Sequence, residues 1–512
     1  MKNKENGVSV MKRLFILFIV PLLVFTMNPF QVKADDKRTI QDEIIYDLLV
    51  DRYNNGRQAS SDQVDIHDPY TYNGGDIDGI TKMIEEIEEG GFTMISLSPV
   101  MENAVGGYHG YWVEDFYEVE DEFGSMEDIH TLVEKAHDLS MKIMLEIPLN
   151  YVAKSSPLVE EHPDWFKEVE VTPAYEATEW LEEVVAFDQS NEEVQAYLQD
   201  VALFWMEEAK IDGFQFAHAD ETDGDLLETI AFELKKKDPN FYLIATTLQN
   251  DGDVTHLLEN EHLDAVANQE FYTAANEVFT KPDEPVSKVF EETSLTDDIR
   301  DLLYVDNLNT PRFSNNFGDN GRNRVTTWQI ALAYLYLTPG VPIVYQGSEV
   351  PMYGPGYPEN QYFVDYSSAD PDVKDVFSQM AAMREQYKQF THGDIEHVTS
   401  EQGMSLFKRT YDDRSIYVAI NNDSESHTVT IDEVDEEFQL RGLIHDDTIR
   451  ANDEGEFLIG MERESAEVFI IEGRKGFNWA FIGFVAGVFI VFVGAIIMLS
   501  IKQKKREKQA GK

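Results

Sequence analysis

The chain has 512 residues, 43 % of them hydrophobic, with 96 acidic against 41 basic side chains and a formal charge of −55. That charge excludes nucleic acid and an anionic membrane face as partners, and the apolar content excludes wholesale disorder. With no cysteine, disulfides are excluded as well, so stability must come from core packing and bound cations.

The N-terminus carries Lys2, Lys4, Lys12 and Arg13, then an apolar run over 14–27, then Val32-Lys33-Ala34 ahead of Asp35 and Asp36. This order of basic, apolar and small residues predicts a signal peptide over 1–34, cleaved after Ala34. An uncleaved anchor is the alternative, against which the apolar run is short for a membrane span. Short β-branched or apolar runs follow at 44–50, 93–97, 142–147, 213–216, 241–245, 265–268, 302–305 and 342–345. Helical periods fall between them at 77–89, 126–139, 192–208, 226–237, 326–336 and 373–386. Eight strands with interleaved helices predict an α/β fold, a (β/α)8 TIM barrel over 35–390. The long aromatic-rich crossover at 149–191 predicts an excursion after the third strand.

Beyond Phe390 alternating strands take over, for example 405–409, 415–421 and 428–431, which predicts a C-terminal all-β sandwich domain over 391–475. The stretch 479–501 contains no charged residue and is long enough to cross about 30 Å of hydrocarbon at about 1.5 Å per residue. Lys502, Lys504, Lys505, Arg506 and Lys508 follow it. Basic flanks stay on the cytoplasmic side, so the prediction is a single-pass cell-membrane protein with an extracytoplasmic body and a cytoplasmic tail over 502–512. Gly483 and Gly487 fit the small-xxx-small pattern that lets helices pair.

Several segments, in order and at matching spacing, resemble the α-amylase family, glycoside hydrolase family 13. They are Ile45 to Gly56 (IYDLLVDRYNNG), Gly74-Gly75-Asp76, Tyr108-His109-Gly110-Tyr111-Trp112, Asp212-Gly213-Phe214, Asp306-Asn307, Thr310-Pro311-Arg312 and Thr338 to Glu349 (TPGVPIVYQGSE). The resemblance implies three carboxylates at strand ends: a nucleophile, an acid and a third that holds the distorted sugar. This chain departs from the pattern at all three. The nucleophile's position in Gly213-Phe214-Gln215-Phe216-Ala217 holds Ala217, and the neighbouring arginine is Gln215. The acid's position holds Thr246, and the seventh-strand His-Asp is Leu308-Asn309. The third-strand motif reads Glu146-Ile147-Pro148-Leu149-Asn150-Tyr151, with tyrosine for histidine. Alanine has no nucleophile and threonine no suitable acidity, so glycosidase chemistry by the usual route is not expected.

The resemblance implies that Tyr108, His109, Tyr111, Trp112, Tyr151, Gln215 and Arg312 contact sugar, as faces and polar edges suited to rings and hydroxyls. An equal alternative is that the aromatic residues are scaffold inherited with the fold, with Arg312 and Asp306 bracing the mouth. Calcium is the cofactor implied, through Asn150 and through Asn55 and Asp76. Three functions stay open: a carbohydrate-binding pseudo-enzyme for α-glucan or another polysaccharide; an active hydrolase using Glu146, Asp220, Glu221 or Glu349; and an interaction subunit for a membrane protein.

Overall fold

The computed structural model describes residues 38–57, 64–169, 176–248, 254–293, 300–474 and 479–510. The expected signal peptide lies outside them. Two units are separated, Met1–Thr39, described only at its last two residues, and Ile40–Lys512.

Within the second unit the eight expected strands form β1 (Ile45–Leu48), β2 (Met94–Leu97), β3 (Lys142–Pro148), β4 (Gly213–Ala217), β5 (Tyr242–Ala245), β6 (Ala265–Ala267), β7 (Asp301–Leu303) and β8 (Val341–Tyr345). They pair in parallel in chain order and close through β1 and β8. The helices packed around them include α1 (Ile77–Glu89), α2 (Met126–Asp138), α3 (Glu192–Ala209), α4 (Gly224–Lys237), α5 (Gln269–Phe279), α6 (Arg324–Leu337) and α7 (Pro371–Gln386). Because side chains alternate along a strand, each strand serves two cores. Ile45, Met94, Met144, Ile244, Leu302 and Ile343 fill the barrel, whereas Tyr46, Ile95, Leu145 and Val344 meet the helices outside.

The loop after β1 is locked to α1. Asp76 caps that helix by accepting from Gly79 N, and the same carboxylate accepts from Gly56 N and Arg57 N. A Cβ at Gly79 would lie 1.9 Å from the Asn54 carbonyl oxygen, so this close approach admits only glycine. The excursion after β3 folds as three short strands, Tyr151–Ala153, Phe166–Lys167 and Val184–Phe187, and rejoins the barrel at α3.

The C-terminal domain is a six-stranded sheet beginning with β9 (Asp394–Glu401), β10 (Met404–Tyr411) and β11 (Arg414–Asn421). The antiparallel pair His427–Ile431 and Phe457–Met461 closes it over a core of Leu406, Tyr417, Val429, Leu440 and Ile459. A buried arginine of β10, Arg409, welds it to the barrel, and a second, Arg384 of α7, ties segments of the barrel to one another. Arg409 donates to the carbonyls of Leu337, Phe390, Gly393 and Asp394, and Arg384 to those of Gln41, Tyr336 and Gly340. The last helix, α8 (Trp479–Ala510), includes the stretch Gly483–Arg506, long and apolar enough to cross a membrane.

Candidate active site at the barrel mouth

The C-terminal strand ends open on a narrow cleft. Alternation aims Asp47 of β1, Glu146 of β3 and Gln215 of β4 into it, with Glu146 directly opposite Gln215 in register. The floor therefore carries two carboxyls and, where the resemblance implies an arginine, an amide. Gln215 accepts from Ser96 Oγ at 2.9 Å and hydrogen-bonds the Asp47 carboxylate. Burial pushes the Asp47 carboxyl up to about 7. Glu146 is pushed up to about 8, first by burial and then by the charge of Asp47, against a hydrogen bond from Tyr111 Oη at 3.0 Å. The pair is thus arranged to hold protons near neutrality.

Ala217 ends β4 and is only 1 % exposed. It belongs to an apolar cluster with Tyr111, Tyr151, Trp180, Leu181 and Leu248. Trp180, from the excursion, stacks on Tyr111 at 4.7 Å and on His218 at 5.2 Å. Its backbone carbonyl accepts from Trp112 Nε1 at 2.9 Å. Rings thus occupy the space around the expected nucleophile position. Thr246, just past β5, and Asn309, past β7, both line the cavity and carry no acidic group. Burial holds the His218 imidazole neutral, down to about 3.

The other expected contacts separate. Gln215 and Tyr111 face the cavity, but Tyr108 does not: it is buried beneath the Arg52 guanidinium, and its hydroxyl donates to Gln361 Oε1 at 2.8 Å. His109 is likewise scaffold, its Nδ1 accepting from Tyr111 N at 3.0 Å and its pKa lowered to about 3 by burial and Arg52. Trp112 packs edge-on to His109 and braces Trp180. Arg312 is wholly buried, donating to the carbonyls of Gln346 and Asn360 with its guanidinium over the Tyr345 ring. The expected brace to Asp306 is not a direct bond, because Asp306 accepts instead from Phe313 N and Ser348 Oγ.

Tyr151 lies between the aromatic cluster and a second, wider cleft of about 1050 Å³, which Asp220, Glu221 and Asp223 also line. Asp220 accepts from Leu248 N at 2.7 Å, so it closes a loop outside the mouth cavity. Glu349 departs furthest from expectation. It sits on the barrel flank and accepts from Tyr46 Oη at 2.6 Å, outside the mouth.

The calcium expectation meets a different chemistry. Asn150 Oδ1 accepts from Gln189 Nε2 at 2.7 Å and Thr222 Oγ1 at 2.9 Å, while its Nδ2 donates to the His218 carbonyl. The oxygen that would ligate an ion is spent on an amide and a hydroxyl. Asp76 is spent on the backbone of the α1 cap, and Asn55 brings it no further carboxylate. No three acidic or histidine side chains converge to hold an ion among the described residues, and calcium wants six to eight oxygens. These residues do not fit it.

Sequence reasoning missed Asp47, Trp180, His218 and Gln189. Only Asp47 carried a local signal, as the one charge inside an apolar strand on its inward parity.

The sequence profile of the α-amylase catalytic domain matches this chain over residues 46–182 and 163–389, and that of the α-amylase C-terminal domain matches 393–469. A cyclomaltodextrinase of Geobacillus thermopakistaniensis is 25 % identical over 427 residues, 76 % of this chain and 70 % of that one. Among solved structures, an α-amylase from Anoxybacillus superposes with a TM-score of 0.80 at 33 % identity, covering 86 % of this chain and 100 % of its own. The acarbose complex of the Geobacillus thermoleovorans α-amylase gives 0.78 at 31 %, with the same coverage. By its barrel, its C-terminal sheet and these matches, the chain belongs to the α-amylase family.

Proposed function

We propose that this protein is a membrane-anchored, cell-surface member of its family that binds α-glucan chains without hydrolysing them. The observation that carries the reading is the barrel mouth. Ala217, Thr246 and Asn309 stand at the three carboxylate positions the resemblance implies, and Trp180 and Tyr111 pack around the first. Loss of a single catalytic group commonly costs about 10⁴-fold or more in rate. The remaining acids do not substitute readily, since Glu146 holds its proton to about 8 and its neighbour Asp47 is itself pushed up to about 7. The glucan class follows from relatives named as cyclomaltodextrinase and α-amylase. The anchor rests on the apolar stretch of α8 and its basic end. The amide network at Asn150 supports a fold that does without calcium there.

The test is calorimetric titration of the protein in mild detergent with maltooligosaccharides, paired with a reducing-sugar assay on the same samples. Saturable heat without new reducing ends is the expected result; new reducing ends removed by Glu146→Gln would overturn it in favour of a hydrolase with displaced carboxylates. The crowding of rings around Ala217 favours a second reading, a protein-interaction subunit. That reading requires absence of sugar binding and co-purification of a membrane protein that Gly483→Leu with Gly487→Leu abolishes.

A further inference from the structure

A separate small cavity opens on the barrel flank, between the outer face of β1, the end of α1, the turn after β8, and α7. It shares no lining residue with the mouth. Five aromatic rings run along it in sequence of contact. Tyr366 meets Tyr53 edge-on at 5.8 Å, Tyr53 meets Tyr46 at 6.0 Å, Tyr46 meets Phe92 at 4.4 Å, and Phe92 meets Phe377 at 6.4 Å. Into this wall projects the Glu349 carboxylate. Its Oε1 accepts from Tyr46 Oη at 2.6 Å, and its Oε2 is buried with no hydrogen-bond partner.

A buried carboxylate oxygen without a donor is costly, and native structures normally supply one. Neither nearby cation, Arg312 nor Lys374, forms an ion pair with Glu349 among the described residues. Arg312, whose charge acts on Glu349, directs its hydrogen bonds to main-chain carbonyls and its face to Tyr345. Ring faces carry negative electrostatic potential, so the rings together with the Glu349 carboxylate and the exposed Glu86 carboxylate at the cavity's edge suit a cation that is weakly hydrated and presents carbon surface. A metal ion would want several oxygens and would leave the rings unused. A neutral apolar guest would leave Oε2 unmatched.

We infer that this flank cavity binds a small organic ammonium group, quaternary or methylated, between the aromatic wall and Glu349. Lys374 borders the same cavity at its half-exposed side, and its like charge opposes such a guest. The inference is independent of any sugar bound at the mouth.

The probe is choline, titrated by calorimetry into the full chain in non-ionic detergent at constant ionic strength, against its neutral tert-butyl isostere 3,3-dimethylbutan-1-ol. Constant ionic strength removes the diffuse attraction that a protein of charge −55 exerts on any cation. Choline should bind one to one and at least tenfold more tightly than the isostere. Glu349→Gln and Tyr366→Leu should each weaken it tenfold or more, and Lys374→Met should strengthen it. Equal affinity for the isostere, or choline heat that does not saturate, would overturn the inference. If Glu349→Gln does not fold by circular dichroism, the wild-type comparison of choline with its isostere and the Lys374→Met titration decide alone.

Discussion

Replacing Glu146 by glutamine should flatten the pH dependence of stability in a direction opposite to that of most carboxylates. In the folded chain the Glu146 carboxyl is raised from 4.5 to about 8, by burial and by Asp47. Unfolded, it returns to the ordinary value, so between those limits the folded state holds a proton that the unfolded state has lost. Stability is then fully present below about pH 4.5 and falls as pH rises through 8. At about 1.4 kcal/mol per tenfold change, that displacement sets an upper limit of about 5 kcal/mol, shared with the coupled Asp47. Glutamine keeps the size and can still accept from Tyr111 Oη, but has no proton to lose. The assay is urea unfolding by tryptophan fluorescence from pH 5 to 9. The wild type should lose several kcal/mol more than Glu146→Gln across that range, and the variant should be the more stable at pH 9. The difference between the two curves removes the self-repulsion of the acidic surface, which acts on both. Parallel curves would refute the account of the mouth as a proton-holding carboxyl pair.

Arg409→Ala strips donors from four carbonyls at the junction of barrel and C-terminal sheet and should cost about 3 kcal/mol, read as a lower urea midpoint. Chelation with EDTA should leave the melting temperature unchanged, because Asn150 Oδ1 is satisfied by Gln189 and Thr222; a drop of several degrees restored by calcium would refute this. Trp180→Ala should lower stability by about 3 kcal/mol through lost ring contacts, with a measurable change in maltooligosaccharide affinity if the mouth is the sugar site. Ala217→Asp alone should destabilise, as a third uncompensated carboxyl. Paired with Gln215→Arg, which supplies a cation, it should recover stability, as thermal melts of the single and double variants would show.

The barrel was legible because β-branched runs and helical periods alternate without interruption, and the strands formed within one or two residues of the expected positions. The mouth was legible only in part. Gln215 and Ala217 lie within β4 and Thr246 directly follows β5, so their placement is fixed by local register, and Asn309 follows in the loop after β7. Tyr108 and His109 were read as sugar contacts because residue type suggests exposure of ring faces. Their rings turn inward because the buried Arg52 guanidinium supplies the face that Tyr108 covers, a pairing across 56 residues that no local pattern encodes. Trp180 reaches Ala217 by the return of the excursion over the mouth, again a tertiary event. Glu349 misled for a related reason: it follows the eighth strand, but the turn at Gly347, with φ of 83°, carries it to the flank.

The substitutions at the mouth form one electrostatic set rather than separate accidents. An arginine at position 215 would face Asp47 and Glu146 and would hold both ionised, together with a carboxylate at position 217. With Gln215 in its place, three buried carboxyls around one cavity would each oppose ionisation of the others. Two are held neutral by burial, against hydrogen bonds from Tyr111 and Gln215 that favour their charged forms. A third among the rings of Tyr111, Tyr151 and Trp180 would have no partner, and alanine there removes the problem while letting the rings close. Once the guanidinium is absent, the apolar cluster and the proton-bearing floor follow from the cost of buried charge. The three implied carboxylate positions are then kept free of carboxylate by the cost of buried charge.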